Sequence, residues 1–594
     1  MLKKLISIVL TLTLITAAFT GCGKKEGTVE LPEKLDNVAD IFANADAFAD
    51  DEQTAGETGT ASGDKATIGE NTIGPGGPQK TNTGTDNLEG NTYTKGFPYV
   101  KDPITLKVMV YSREGSPKDW SKMRFSQVYE EATNIKIEWT VVPQSSLQEK
   151  VKIMMAAGNY PDILCALSGT FSDAEVLSYG AKGVLWDCSQ SLQTYAPNLY
   201  SLMANDASIR TACIESNGSM FSLPFLQTDT VGHYWNINKK WLDNLGLSVP
   251  ATTEELEQVL VAFKNNDPDG DGINNQIPFA AYCHDPALFG PWGLYFEWGN
   301  QLLVDNNRKV NYIFGMNEAR AAVLYWKNLK KQGLTDIPMY GGTVADFNKK
   351  LQTGKVGCFL WNLTSSETCL DYDMLKDYVV MEVPVASSVS SSLTPGVQRH
   401  DPKVQGRSSF IFNTCKNKEA ALRWLDYFYS VEGNLFKTYC DVGYKYLFQK
   451  SDGSLYLDIP AGANLLADAP GSIIAGNYTP AFNAALSESP KGQTEEQKYR
   501  NNYSKGAYNL YSDNLPKYMW PDICYTLEES KEINKYKMYL TFDSGWYTMC
   551  AMIEGKSDVA DPSTGWNSWL NTLKKAGLEK FVAVQQQAYD RTIS

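Results

Sequence analysis

The chain has 594 residues, of which 43% are hydrophobic and 21% charged, and its formal net charge is −14. This composition is typical of a soluble globular protein, and the length exceeds what one hydrophobic core usually organises, which predicts two lobes or domains. The negative charge repels phosphate backbones, so nucleic acid is excluded as an expected partner.

The N-terminus has the pattern of an export signal. Two lysines precede a short apolar run at residues 5–20, and small residues follow, which predicts a signal peptide over residues 1–21. The run is shorter than the roughly 20 residues of a membrane-spanning helix. Cys22 follows Gly21 as in a bacterial lipobox, although Phe19 stands where Leu is common. We predict that Cys22 is lipidated and anchors the protein to the extracellular face of the cell membrane; the alternative is a secreted protein.

A polar segment follows the predicted lipidation site. Residues 50–96 are rich in Gly, Thr, Asn, Asp and Glu, and Tyr93 is their one aromatic residue. Such a composition buries too little apolar surface to offset the entropy of ordering. We therefore predict a flexible linker over residues 22–100, with a reach of about 50 Å if it behaves as a random coil.

The folded part begins with alternating strands and helices. Patterns of β-branched and apolar residues predict strands at 104–111, 135–142 and 356–360. Helical periodicity predicts helices at 125–133, 147–157, 318–332, 418–430 and 565–576. Gly158 is expected to end the second of these helices. The alternation predicts a layered α/β fold.

Signatures of catalysis are missing from the sequence. The eleven cysteines form no C-x-x-C pair, and the three histidines fit no metal-ligand spacing. No G-x-S-x-G motif occurs. We therefore predict that the protein is not an enzyme, although paired carboxylates for glycoside hydrolysis stay open among the 68 acidic residues. The ten cysteines other than Cys22 could form disulfides or be buried thiols.

Six segments of the chain resemble one family. They are residues 156–162 (AAGNYPD), 241–247 (WLDNLGL), the acidic loop at 267–278, 354–357 (GKVG), 419–429 and 588–591 (AYDR). Together they are similar to the large lipid-anchored extracellular solute-binding proteins, family 1, which supply sugars to ABC importers. The resemblance covers about residues 103–594, in the expected order.

The resemblance implies a two-lobed, periplasmic-binding-protein-like (type II) α/β fold with a hinge between the lobes. It places lobe 1 at approximately 103–235 and 405–515, and lobe 2 at approximately 236–404 and 516–594. It also implies a cleft that closes on an oligosaccharide, an ABC permease as partner, and a monomer. One departure is the pair Lys239 and Lys240 before Trp241, where the family has a basic-acidic pair, so nearby ligand contacts are expected to differ.

The acidic loop predicts a cation site. Acidic residues occupy positions 1, 3 and 5 of the loop, and Gly272 and a backbone carbonyl follow, as in loops that wrap calcium. Pro278 occupies position 12, where an EF-hand has Glu, so the loop is not an EF-hand. The resemblance adds ligands at positions 9 and 10, where relatives often have acids. The predicted ligands of a structural calcium ion are Asp267, Asp269, Asp271, the Ile273 carbonyl, Asn275 and Gln276. The alternative is an Asp-Gly turn without an ion.

Aromatic residues are the positive indication of a sugar ligand. The chain has 33 Tyr and 14 Trp, and flat aromatic rings match the apolar faces of sugar rings. Most of these residues are expected in the core. The ligand-binding candidates are Tyr111, Trp235, Trp292, Trp298, Trp361 and Arg399, which lie at predicted strand ends, at predicted crossings between lobes or in a Gly/Pro-bearing segment. Trp235 and Trp361 are predicted to stack on sugars from opposite lobes; the alternative is that both pack between sheet and helix.

These observations predict the substrate-binding component of an ABC carbohydrate importer. An exported carbohydrate-active enzyme and a glycan-binding surface adhesin are the alternatives. Turnover of a glycan would favour the enzyme, whereas stoichiometric binding without products would favour the importer component.

Overall fold

The computed structural model describes most of the chain from residue 77 to residue 593. Within that range it leaves out residues 228–233, 283–284, 296–300, 362–369, 397–403, 461–462, 478–485, 488, 493, 513–516, 519, 522 and 537–539. Three predicted functional residues, Cys22, Trp298 and Arg399, lie outside the described residues.

The described strands are numbered in chain order. They are β1 (Leu88–Glu89), β2 (Thr92–Tyr93), β3 (Ile104–Ser112), β4 (Ile135–Pro143), β5 (Ile163–Cys165), β6 (Leu223–Gln227), β7 (Tyr234–Asn238), β8 (Ile277–Ala281), β9 (Leu302–Val304), β10 (Val310–Tyr312), β11 (Thr335–Asp336), β12 (Val356–Trp361), β13 (Tyr378–Met381), β14 (Val404–Ile411), β15 (Leu447–Gln449), β16 (Leu455–Leu457) and β17 (Gly476–Asn477).

The described α-helices are numbered in the same way. They are α1 (Arg124–Thr133), α2 (Leu147–Ala157), α3 (Asp173–Ala181), α4 (Leu192–Tyr195), α5 (Pro197–Asn205), α6 (Ala207–Cys213), α7 (Lys239–Leu245), α8 (Thr253–Asn265), α9 (Asn317–Lys331), α10 (Val344–Gln352), α11 (Tyr372–Leu375), α12 (Lys418–Asp426), α13 (Val431–Tyr439), α14 (Glu495–Ser512), α15 (Leu527–Asn534), α16 (Phe542–Ile553), α17 (Trp566–Lys575) and α18 (Leu578–Ile593).

The first lobe is built on a six-stranded sheet. Its strand order is β17-β6-β14-β5-β3-β4, with β3 parallel to both β4 and β5 and with β14 antiparallel to β5 and β6. Its hydrophobic core, the first core, includes Val108, Ile163 and Phe410, all fully buried. Parallel strands covered by helices on their faces are the expected α/β arrangement.

The second lobe is built on a five-stranded sheet with the order β11-β8-β12-β7-β13. Strands β8, β11 and β12 run parallel, and β7 runs antiparallel to β12 and β13. One face of this sheet contributes to the second core, which includes Trp235, Phe279 and Trp326. The other face covers a smaller third core around Phe359 and Trp361.

The two lobes and the mixed α/β class agree with the prediction. Each lobe contains segments that are distant in the chain, since the first core combines residues before β7 with residues from β14 onwards. One boundary differs from the prediction, which gave residues 405–515 to lobe 1. Helix α14 instead packs in the second core through Ala507 and Tyr511. The Tyr511 hydroxyl also donates a hydrogen bond to the Met381 carbonyl (2.6 Å) in β13 of the second lobe.

The end of the predicted flexible linker is folded against the first lobe. Strands β1 and β2 form a short antiparallel pair, and Phe97 and Tyr99 are buried in the first core. The Arg423 guanidinium stacks 4.6 Å from the centre of the Tyr99 ring and donates a hydrogen bond to the Gly96 carbonyl (3.0 Å). The prediction extended the linker to residue 100 from a composition assessed over residues 50–96, a window that ends just before the two aromatic residues that provide this buried surface.

The strongly periodic elements match their predictions. Helix α2 has the predicted bounds, and Gly158 ends it in the left-handed conformation with φ +68°. The predicted helix at 418–430 is α12, followed by one 3-10 turn, Tyr427–Tyr429. None of the described helices combines the length and apolar character needed to cross a bilayer. Cys165, Cys188, Cys358, Cys415 and Cys440 are buried thiols, which favours that alternative for these five.

Candidate ligand-binding edges and cation loop

The carboxyl ends of the parallel strands define one edge on each sheet, called here the C-terminal edge. Ligands of open α/β sheets bind beyond such edges. Gln227 ends β6 at this edge of the first sheet, and Tyr234 begins β7 opposite Trp361 at this edge of the second sheet. Seven residues of chain can separate these points by at most about 25 Å. The two edges therefore lie close enough to border one ligand site.

Arg113 is the exposed group at the C-terminal edge of the first sheet. Tyr111, the predicted ligand contact, is fully buried at the end of β3. The Arg113 guanidinium lies 5.6 Å from the centre of the Tyr111 ring and donates hydrogen bonds to the Tyr111 hydroxyl (3.2 Å) and to Ser472 Oγ (3.0 Å). Burial raises the pKa of Tyr111, which keeps its hydroxyl neutral. Tyr111 and Ser472 thus position a cationic donor that the sequence analysis missed, although it directly follows the predicted strand end.

An aromatic cluster lies at the C-terminal edge of the second sheet. Trp361 ends β12 and is 7% exposed. Its ring lies edge-on to Tyr282, with centroids 5.8 Å apart, and 5.5 Å from the centroid of Phe347. Tyr282 directly follows β8, and because β8 and β12 run parallel, both strands bring an aromatic residue to the same edge. Tyr282 was not predicted, but its position after an apolar strand was a usable signal.

Trp235 and Trp361 both belong to the second sheet, on opposite faces, so the prediction that they lie on opposite lobes is wrong. Trp235 pairs with Leu360 in the sheet register, and successive residues of a strand point to opposite faces. The Trp235 side chain is 1% exposed and packs 5.8 Å from the ring of Phe279 in the second core. This burial favours the alternative in which Trp235 packs between sheet and helix over the predicted stacking on sugar.

Trp292 also differs from the expectation of an exposed segment. It ends the 3-10 helix Pro286–Trp292, in which Leu288 and Phe289 are fully buried. The Trp292 indole N–H donates to Ser388 Oγ (3.1 Å), and the ring lies 5.4 Å from that of Tyr325. The apolar residues of this short segment contribute to the second core, which explains why its Gly and Pro residues do not expose it.

The acidic loop between α8 and β8 brings three carboxylates together. One oxygen from each of Asp267, Asp269 and Asp271 lies within 4.8 Å of the others. Gly270 and Gly272 adopt φ +72° and +75°, which lets the backbone turn sharply. The Gly272 N–H donates to Asp267 Oδ2 (2.9 Å), so the turn also orients a carboxylate.

Gln276 closes the loop from the buried side. Its Nε2 donates to Asp269 Oδ1 (2.8 Å) and to the Ile273 carbonyl (2.9 Å), two of the predicted calcium ligands. Its Oε1 is buried and has no hydrogen-bond partner among the described residues. Rotation of the amide by 180° would direct Oε1 towards a cation held by those two ligands. Carboxylate, carbonyl and amide oxygens form a donor set that suits calcium. Asn275 is exposed.

Lys355 contributes an ammonium group to the same loop. Its Nζ lies 2.5 Å from Asp269 Oδ2 and 2.5 Å from Asp271 Oδ2. Burial raises the pKa of Asp269, but hydrogen bonds from Lys355 and Gln276 outweigh this effect and lower the pKa below its ordinary value. The hydrogen bonds that Lys355 donates, first that to Asp269 and then that to Asp271, raise the pKa of Lys355. The loop therefore includes a charged partner from the start of β12 that sequence analysis did not identify.

Two α/β lobes, each combining separate chain segments and joined at their C-terminal edges, define the two-lobed class of solute-binding folds. The model of the family described as bacterial extracellular solute-binding protein matches residues 114–435, more than half of the chain. The chain belongs to this family.

The comparisons extend over most of the chain. The fructooligosaccharide ABC transporter substrate-binding protein FusA of Streptococcus pneumoniae is 27% identical over 539 residues, which cover 85% of this chain and 92% of FusA. Lipoprotein LipO of Bacillus subtilis is 28% identical over 43% of this chain and 49% of its own length. Thus one curated relative aligns along nearly its whole length.

Solved structures share the fold. FusA in complex with kestose has a TM-score of 0.65 at 23% identity and covers 82% of this chain and 99% of its own. An extracellular solute-binding protein of Bifidobacterium longum subsp. infantis has a TM-score of 0.67 at 20% identity, with coverages of 83% and 99%. Another FusA structure, at 23% identity and a TM-score of 0.65, is described as an EF-hand mutant with fructo-nystose and has the same coverages as the kestose complex. These structures confirm the two-lobed architecture.

Proposed function

We propose that this protein is the carbohydrate-binding component of an ABC importer and that it captures an oligosaccharide between its lobes without altering it. Membership of the solute-binding family and the similarity to FusA support the proposal. The observation that carries it is the pair of C-terminal edges, one with a positioned guanidinium at Arg113 and one with an aromatic cluster at Trp361.

The two edges supply complementary contacts for a sugar. The Arg113 guanidinium has further N–H donors for hydroxyl groups, and Trp361 with Tyr282 offers apolar ring surface for the C–H face of a pyranose or furanose. Because these groups belong to different lobes, a ligand that contacts both stabilises the closed arrangement over the open one. The closed protein then delivers its ligand to the permease.

Binding and turnover are distinguished by one experiment. We expect isothermal calorimetry of the purified protein with a panel of oligosaccharides, fructooligosaccharides included, to find one class that binds with one site per chain. Chromatography of the same mixtures after long incubation should recover the ligand intact. Conversion of the ligand to shorter products would instead support the exported carbohydrate-active enzyme.

The two tryptophans provide a paired test of the site. Trp361→Ala is expected to weaken ligand affinity by about 30- to 900-fold, which corresponds to the 2–4 kcal/mol of a buried hot spot. It should also lower the free energy of unfolding, because the ring is 7% exposed and packs in the third core. Trp235→Ala is expected to lower the free energy of unfolding by about 3–5 kcal/mol and to leave the affinity of the folded fraction near normal. The opposite assignment of the two effects would contradict this description of the site.

We propose that the acidic loop binds a structural calcium ion. Asp267, Asp269, Asp271, the Ile273 carbonyl, Asn275 and Gln276 would hold it, and the ion would neutralise the three carboxylates and stiffen the loop. The convergent donor set and the EF-hand named for a FusA structure support the proposal. Chelation should lower the melting temperature by mass action, and Asp267→Asn should abolish that response. An identical melting curve in excess chelator would contradict it.

We further propose that Cys22 is lipidated and that the protein acts as a monomer at the extracellular face of the membrane. The lipobox-like segment and the extracellular family support this location. Cys22→Ala should move the protein from the membrane fraction to the medium or the soluble fraction, because the lipid provides the anchor. Unchanged fractionation would contradict lipidation.

A further inference from the structure

We infer that Lys355 is the resident cation of the acidic loop: its ammonium balances the carboxylates when calcium is absent, and calcium must displace it to bind. The inference rests on the proposed calcium site and adds a residue that sets the affinity of that site.

The ammonium lies where a calcium ion would compete for the same groups. Lys355 Nζ contacts Asp269 and Asp271 at 2.5 Å each, and its side chain is 25% exposed. Calcium takes six to eight oxygen ligands at about 2.3–2.6 Å, so it needs both of these carboxylates. A divalent ion and an ammonium held by the same two carboxylates repel each other strongly at such separations. Calcium binding therefore requires that Lys355 move away.

The backbone of Lys355 is fixed beside the loop. Its N–H donates to Thr353 Oγ1 (3.1 Å), and its carbonyl accepts from the Ile277 N–H (2.7 Å). Val356 and Ile277 are partners in the parallel β12–β8 ladder, and Ile277 directly follows the loop residue Gln276. The sheet register therefore keeps the Lys355 backbone beside the loop, so that the ammonium can contact the carboxylates again whenever the metal leaves.

This ion pair links the loop to the strand that ends at Trp361. Lys355 directly precedes β12, whose far end is the C-terminal edge of the second sheet. With calcium or with Lys355, the carboxylates of the loop have a cationic partner next to β8 and β12. We expect the ligand-binding edge to keep its position at low calcium, with a calcium requirement that is graded rather than absolute.

The test compares Lys355→Met with the wild type in the full-length purified protein. Calcium titration by calorimetry is expected to show at least a tenfold tighter dissociation constant for Lys355→Met, because the competing ammonium is gone. In excess chelator the melting temperature of Lys355→Met should fall below that of the wild type, and added calcium should restore it. Lys350→Met is the matched control, because Lys350 pairs with Asp336 (2.9 Å) in the same lobe, and it should change neither quantity.

The outcomes separate this inference from the calcium proposal. Equal calcium affinity of wild type and Lys355→Met would overturn the inference and leave the calcium site intact. Calcium binding by Lys355→Met but not by the wild type would support the inference and contradict calcium in the native protein. If the melting temperatures of both proteins agree in chelator, the ammonium is not the resident cation and the inference fails. A melting difference that disappears when Asp269→Asn and Asp271→Asn are added supports it.

Discussion

The two lobes differ in their buried cationic side chains: among the described residues these are Arg407, Arg423 and Lys437, and all three belong to the first lobe. Buried charged side chains of the first lobe bond backbone groups directly. The Lys437 ammonium, fully buried, donates to the Ile474 carbonyl (2.8 Å), and the Asp426 carboxylate accepts from the Leu199 N–H (2.8 Å). The Arg423 guanidinium donates to the carbonyl of Gly96.

In the second lobe, buried neutral side chains bond backbone carbonyls, as Tyr129 and Tyr429 also do in the first lobe, and the buried charged residues described there are the carboxylates Asp285, Asp305 and Glu529. The indole N–H of Trp326 donates to the Leu288 carbonyl (2.8 Å), and that of Trp569 donates to the Phe314 carbonyl (2.7 Å). The Tyr378 hydroxyl donates to a carbonyl at the start of β12. Each of these hydrogen bonds pairs a backbone group, as folded proteins require of buried backbone groups.

Charged and neutral side chains differ in the free-energy cost of their burial and in the pH dependence that they give to stability. A buried charge loses its hydration and must regain that energy from partners, whereas an indole or phenol loses much less. Buried charged side chains therefore make the free energy of unfolding sensitive to the loss of a partner and to protonation. We expect the first lobe to respond more strongly than the second to changes at buried polar side chains.

The largest effect is expected at the ion pair between Arg407 and Glu215. The Glu215 side chain has no exposed surface, and Arg407 in β14 donates to both of its oxygens. Arg407→Met leaves a buried carboxylate without its partner, which costs about 3–5 kcal/mol. Thermal and urea unfolding measure the loss. The double variant Arg407→Met/Glu215→Met should recover part of it, and a single variant as stable as the wild type would contradict the comparison.

A smaller effect with a distinct pH profile is expected at Lys437. Burial lowers its pKa to about 7, below the ordinary value of 10.5. Between these values the unfolded chain holds a proton that the folded protein has lost, so the stability of the wild type rises with pH. Lys437→Met should raise the free energy of unfolding at pH 7 by about 1–3 kcal/mol, since the penalty of burial exceeds one hydrogen bond.

The advantage of Lys437→Met should then shrink as the pH rises from 7 towards 10, by at most about 1.4 kcal/mol per unit. Unfolding curves of both proteins at several pH values measure this change. A constant difference between the two proteins would show that Lys437 keeps its proton in the folded state throughout this range.

The sequence predicted elements that depend on local periodicity and missed features that depend on distant partners. Helix α2 and its Gly158 end follow from residues adjacent in the chain. Only the register of β7 and β12 shows that Trp235 and Trp361 lie on opposite faces of one sheet. Lys355 escaped prediction because its partner Asp269 is 86 residues away and becomes a neighbour only through the β8–β12 pairing.

The convergence of Asp267, Asp269 and Asp271 was predictable because their order within one turn determines the geometry, and the three carboxylates do lie together in the structure. The exposed group at the C-terminal edge of the first sheet was not predictable from the sequence. Both Tyr111 and Arg113 lie at the end of the predicted strand, and either could contact a ligand. Only packing shows that the ring is buried and the guanidinium is exposed.

The smallest predicted effect is at Tyr378, the neutral counterpart of Lys437. Its hydroxyl donates to the Val356 carbonyl (2.6 Å) in the interior of the second lobe. Tyr378→Phe keeps the ring and removes one hydrogen bond, so it should lower the free energy of unfolding by about 0.5–1.5 kcal/mol. Burial raises the pKa of Tyr378 above its ordinary value of 10, so the phenol stays neutral in both states below pH 9 and the loss should not depend on pH there.

Tyr508→Phe is the control for this change, because Tyr508 is 43% exposed in the same lobe and its variant should stay within about 0.5 kcal/mol of the wild type. Unfolding curves at pH 6, 7.5 and 9 measure all three proteins. A pH-dependent loss for Tyr378→Phe would mean that the second lobe also couples its buried donors to protonation. The contrast between the lobes would then rest on the size of the effects alone, because the neutral donors would no longer differ from Lys437 in kind.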